Sequence, residues 1–168
     1  MEKKNIRDCD EFDAEMLINI YPLLEKRCSD KDVSIKKLSY SYTPTYYGVG
    51  EVYEKILDKM EEKNQIINIK LIVDRVISRL RPKTMKFALA LMNFHALPKI
   101  ELFDLFGEKE RTGFRRVETL YMTMAFLINK YKFNDKVVSF INSQVWVSNL
   151  LRNIKERRLS FKNLTKEE

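Results

Sequence analysis

Apolar residues recur along this chain at intervals of three and four, the spacing that lines one face of an α-helix. Between Ala14 and Lys26, Met16, Leu17, Ile20, Leu23 and Leu24 keep that spacing, while Pro22 inside the run predicts a kink or interruption. Residues 29–50, SDKDVSIKKLSYSYTPTYYGVG, gather Ser, Thr, Tyr and Gly around Pro44 and predict an extended connection. From Glu51 the helical pattern resumes: Val52, Ile56 and Met60 share a face. Ile66, Ile69, Val73, Val76, Ile77 and Leu80 continue it, with a hinge expected near Asn64.

Pro82 stands where a helix carries its first residue, and Met85, Ala88, Leu89 and Met92 follow it, predicting a helix that ends near His95. Pro98 opens a short helix whose buried face is read as Ile100, Leu102, Phe103, Leu105 and Phe106, closed by Gly107 as its C-terminal cap. Thr112 is suited to cap the next helix, in which Val117, Leu120, Tyr121, Met124, Leu127 and Ile128 form the cleanest apolar stripe in the chain. Asn134 is read as the cap of a last helix with Val137, Phe140, Ile141, Val145, Leu151 and Ile154 turned inward. The basic run RNIKERR and a fraying end follow it. The fold class that results is all-α: a helix-turn-helix unit flanked by further N- and C-terminal helices. Three regions are expected, an N-terminal helical interaction region at 1–80 with its Tyr/Pro linker at 29–50, the helix-turn-helix unit at 81–132, and a C-terminal helix with a basic tail at 133–168.

Composition agrees with this reading. A chain of 168 residues is long enough to bury one core, and four Gly, four Pro and 45% hydrophobic residues suit a compact helical protein. Cys9 and Cys28 have neither CxxC spacing nor a histidine companion, so no zinc or redox motif is formed and a reducing cytoplasm is the simplest setting. The charged start MEKKNIRDCDEFD has no apolar core of a signal peptide, and no apolar run reaches membrane-spanning length. DCDEFDAE reads as a helix start that favours negative charge. His95 is the only histidine and lacks Ser, Cys or metal-ligand companions, which gives it a structural role. No catalytic, metal or cofactor motif is found, and the chain reads as a non-enzyme without a cofactor.

The net charge of +7 is unevenly placed. Residues 1–80 hold 14 Lys or Arg against 15 Asp or Glu, residues 81–132 hold 10 against 5, and residues 133–168 hold 7 against 4. Positive charge concentrated in the middle of the chain suits a polyanion, because Lys and Arg displace condensed counterions from phosphates. It lies beside LFDLFGEKERTGFRRVETLY, residues 102–121, which carries three arginines in six positions. A helix-turn-helix needs a first helix that buries apolar residues and a second with one face for the core and one for DNA. Leu102, Leu105, Phe106, Val117 and Tyr121 are available to the core; Lys109, Arg111, Thr112, Arg115, Arg116 and Thr119 are the candidate DNA-contacting residues. Arginine's planar fork bonds two acceptors of a guanine edge at once, which assigns Arg115 or Arg116 to bases. Arg111, Thr112 and the helix N-terminus suit phosphate. Glu108 and Glu110 can repel phosphate or pair with the arginines, and the sequence leaves both readings open.

Residues 82–130, PKTMKFALALMNFHALPKIELFDLFGEKERTGFRRVETLYMTMAFLINK, resemble the fourth region of bacterial sigma factors and, more closely, the phage-encoded ArpU/RinA type of transcriptional regulator. Phe106 and Gly107 stand at that family's LG turn, Thr112 at its usual Thr, Phe114 at its aromatic position, and Arg115 and Arg116 at its basic pair. Gly113 departs from the pattern, standing where the family has an apolar residue, and Gly inside a helix costs about 1 kcal/mol relative to Ala. The resemblance implies a transcription regulator that binds double-stranded DNA through a recognition helix at about 112–129. It also implies an RNA polymerase contact or a homodimer through the other helices. Residues 1–80 carry no recognisable promoter-melting region of a complete sigma factor. The alternative is a helical adaptor or inhibitor that binds another protein, for which Trp146 and Tyr40, Tyr42, Tyr46 and Tyr47 are the candidate anchors.

Overall fold

The computed structural model describes residues 6–40, 49–93 and 99–153, and every regular element among them is helical. The order is α1 (Glu11–Tyr40), α2 (Val49–Ser78), α3 (Pro82–Asn93), α4 (Lys99–Leu105), α5 (Glu110–Lys130) and α6 (Asn134–Ser143), followed after Gln144 by a helical stretch at 145–153, here α7. The fold class is all-α.

α1 and α2 are long antiparallel partners. Tyr21, early in α1, donates to Asp74 late in α2, while further along α1 Lys31 pairs with Glu62 and Asp32 with Lys63 at 2.6 Å. Burial and the Asp74 hydrogen bond push the Tyr21 hydroxyl up to about 12. Ile18, Ile20 and Leu24 from α1 share one core with Ile66, Val73 and Val76 from α2. The same core takes in Phe87 and Met92 from α3, Phe103 from α4, Leu120, Met124 and Ile128 from α5, and Val137 and Ile141 from α6.

Several boundaries differ from the sequence expectation, and packing explains each. Pro22 does not end α1, which spans 30 residues in all, because the face shared with α2 holds the backbone on both sides of it. Residues 29–40, expected to be extended, continue that helix. Ser34 and Ser39, which elsewhere compete with the helix, donate their hydroxyls to the carbonyls of Asp30 and Ile35 one turn back. At the other end of the expected linker Val49 and Gly50 already belong to α2, and residues 41–48 between, with Tyr42, Pro44, Tyr46 and Tyr47, lie outside the described residues, as do His95, Pro98 and Ile154. No hinge forms at Asn64: its side chain is exposed, and the flanking Glu62 and Lys63 are tied to α1. α6 stops at Ser143, and Val145 beyond it is 74% exposed while Val147 is buried, so the inward face shifts at that break.

The start of α1 is closed by its own side chains. Asp10, at the N-cap, accepts from the Asp13 amide at 3.0 Å, and Asp13 accepts in return from the Asp10 amide at 2.9 Å, a reciprocal capping box. Arg7 grips the same Asp13 carboxylate at 2.6 and 2.9 Å. Burial pushes the Asp13 carboxyl up, but the bonds from Arg7 and Asp10 outweigh it and hold it below the ordinary aspartate range. This segment is pinned to the far end of α5: Asn129 accepts from the Cys9 amide at 2.8 Å and donates to the Cys9 carbonyl at 2.9 Å, and Asn134 donates to the Arg7 carbonyl. Burial pushes the Cys9 thiol up to about 12, which makes it a packing group rather than a nucleophile. Among the described residues no helix is long and apolar enough to cross a membrane.

Candidate nucleic-acid interface

α4 ends in a tight turn that its sequence dictates. Gly107 takes φ of +63°, a conformation that costs other residues about 1–2 kcal/mol. Around it the Glu108 amide donates to the Phe103 carbonyl at 2.9 Å and the Gly107 amide to the Asp104 carbonyl at 3.1 Å, the two bonds of a Schellman motif. Two residues later α5 begins. Leu102 and Phe103 anchor α4 in the core, whereas Leu105, expected there, is 68% exposed because it lies off the face they share.

Gly113 gives the corner its closeness. A Cβ at that position would stand 2.3 Å from the Phe103 ring, far inside contact distance, so α4 and α5 approach as they do only because residue 113 has no side chain. The ring is held from the other side by Phe114 in an edge-to-face contact with centroids 5.0 Å apart. A glycine inside this helix therefore has a packing cause.

The N-cap of α5 is Lys109, one turn earlier than the Thr112 expected, and it supplies no side-chain acceptor. α5 buries Val117, Leu120, Tyr121, Met124, Ala125 and Ile128, and turns Arg111, Thr112, Arg115 and Thr119 to solvent. Arg111, Arg115 and Thr119 are four residues apart and stand in one row. Lys109 is exposed at its start.

Arg116 is placed differently from the other five candidates. Its guanidinium bonds Glu108 at 2.6 Å and lies 4.6 Å from the centre of the Phe87 ring and 5.6 Å from that of Phe106, with only 27% of the side chain exposed. Arg116 thus fastens the turn to α3, and Glu108 pairs with it rather than standing free toward a ligand. Three other arginines also have partners, Arg7 in Asp13, Arg27 over Trp146 and Arg79 over Tyr131, while Arg75, 6.0 Å from the centre of the Phe133 ring, stays exposed on α2. Arg111 and Arg115 make no ion pair or ring contact among the described residues. Sequence spacing could locate Arg115 and Arg116 but could not separate them, since the separating partner, Phe87, lies on another helix.

The same exposed face of α5 becomes apolar further along, where Met122 is 53% and Phe126 63% exposed. Elsewhere a groove of about 420 Å³ lies between α2 and α6, lined by Gln65, Asn68, Asp135, Lys136, Ser139 and Ser143 among others. Among the described residues no three His, Cys, Asp or Glu side chains gather as metal ligands would. Comparison with protein families, curated proteins and solved structures gives no match to this chain.

Proposed function

We propose that this chain is a DNA-binding transcription regulator that sets the N-terminal half of α5 in the major groove. One observation carries the reading: of the arginines in the corner, Arg111 and Arg115 stand in solvent in one row while Arg116 is spent on the turn. In this arrangement Arg115 reads base edges, and Arg111, Lys109 and Thr112 contact phosphates. Thr119 follows one turn beyond Arg115. The uncapped first turn of α5 adds backbone N–H groups suited to a phosphate oxygen. Gly113 and the Glu108–Arg116 pair hold α5 at a fixed angle to α4, which a groove-reading helix requires. RNA polymerase remains the proposed protein partner, in line with the sigma-like resemblance of residues 82–130.

The test is fluorescence-polarisation titration of labelled duplexes, random sequence against the chain's own upstream region, between about 50 and 300 mM salt. The wild type is expected to bind with a steep salt slope and to prefer one duplex. Arg115→Ala should erase about 1–3 kcal/mol of that preference, and Arg111→Ala should weaken all duplexes alike and flatten the slope. Arg115→Ala is the cleaner variant, because a change at Arg116 also loosens the corner. No binding at the lowest salt would overturn the reading. The adaptor reading would then stand first, since Met122 and Phe126 offer an apolar contact on the same face.

A further inference from the structure

The outer face of α2 carries an apolar row that is left uncovered among the described residues. Tyr53, Leu57, Met60, Ile67 and Leu71 are 62, 45, 47, 36 and 59% exposed, on the side of the helix away from its buried Ile66, Ile69 and Val73. With exposed Asn64 they follow one another at intervals of four, three, four, three and four residues. That is the a/d spacing of a coiled-coil seam, kept over about 27 Å of helix at 1.5 Å per residue. A helix that only had to pack on α1 would need no second seam on its opposite face. A single Asn among the apolar positions is the device by which coiled coils fix register at some cost in stability.

We propose that this seam is a self-association surface, covered in solution by the α2 seam of a second copy lying antiparallel to it. The row is nearly symmetric about Asn64: Leu57 and Leu71 lie seven residues to either side, with Met60 four before and Ile67 three after. Turned end for end, it meets itself, with Leu57 beside Ile67 and Leu71 of the second copy and the two Asn64 amides near the two-fold axis. Charge selects the direction. One flank of the seam carries Glu54, Glu61, Asn68 and Arg75 at seven-residue intervals. Antiparallel pairing brings this flank against itself, with Glu54 opposite Arg75 and Glu61 opposite Asn68, each twice. Parallel pairing would bring Lys70 toward Arg75 of the other copy, like against like. The other flank, Ile56, Lys63 and Lys70, is brought against itself as well, and there Lys63 is already neutralised by Asp32 of α1 at 2.6 Å. The second copy is therefore the partner whose spacing and charge the surface matches.

The inference does not rest on the DNA reading, and its test contains no DNA. Sedimentation equilibrium of the full chain from micromolar to submillimolar concentration is expected to give a mass that rises to two chains. Leu57→Glu with Leu71→Glu should leave one chain at all concentrations with circular dichroism unchanged, because both positions are exposed and the fold does not use them. Glu54→Arg and Arg75→Glu should each weaken association about tenfold, and the two together should restore it. A monomer throughout, or a dimer that survives the double Leu→Glu change, would overturn the proposal. Failure of the charge exchange to restore association would overturn the antiparallel arrangement.

Discussion

Two helices of this molecule begin in opposite ways. At α1 the start is closed from within: Asp10 and Asp13 cap each other, Arg7 closes on Asp13, and Asn129 holds the backbone of Cys9. At α5 the N-cap is a lysine with no side-chain acceptor, and the arginines of the first turns, except Arg116, face water. On the proposed function, the difference separates two uses of a helix start. A satisfied helix start serves the fold, and its groups are not available to anything else. An open one, held rigidly by a glycine contact and one ion pair, keeps hydrogen-bond donors free for an external acceptor.

Removing the rigidity of the open end should cost most. Gly113→Ala drives a Cβ into the Phe103 ring and is expected to destabilise the protein by about 2–3 kcal/mol. Urea unfolding would measure it, and a change below about 0.5 kcal/mol would mean that α4 can shift away freely. Next is the closed end. Asp13→Ala removes the cap and strands Arg7, with an expected loss of about 2 kcal/mol. Its pH behaviour follows from the sign of the shift. A carboxyl held below its ordinary value in the folded state contributes its full stability above the unfolded aspartate value. The contribution drains away as pH falls through the lower, folded value. The wild-type advantage over Asp13→Ala should therefore be flat at neutral pH and shrink below about pH 4, as thermal melts at stepped pH would show. The smallest effect sharpens the comparison at the point where the two regions meet. Lys132 closes α5 at φ of 57°, with the Phe133 amide donating to the Ile128 carbonyl at 2.9 Å, the same motif as at Gly107 but built on a residue strained by it. Lys132→Gly should raise stability by about 0.5–1 kcal/mol in the same urea experiment.

The helices themselves were legible because their apolar stripes repeat over several turns: Val117 through Ile128 in α5, and Ile66 through Ile77 at the end of α2. Gly107 as a left-handed cap and Pro82 as a first residue were legible too, because each is a local backbone requirement. What was not legible depends on neighbours far away in sequence. Pro22 and Asn64 read as breaks, yet α1 and α2, packed on each other, continue through both. Thr112 read as a cap, yet the helix starts a turn earlier, at Glu110. Leu105 and Phe103 read as equal candidates for the core, and only the position of α5 decides that Phe103 enters it. Within the candidate site, the spacing located the basic row, but the retirement of Arg116 into an ion pair depends on Glu108 and Phe87 together.

The bridge from Asn129 to Cys9 spans 120 residues of chain. Closing so long a loop forfeits much of the unfolded chain's freedom before any contact rewards it. The helices on either side can form and pack locally, so the bridge is expected to be the last part of the molecule to assemble and the first to let go. The amide of Cys9 would then exchange its hydrogen with solvent faster than those in the middle of α5, making one backbone position a reporter of how firmly the two halves of the chain stay joined.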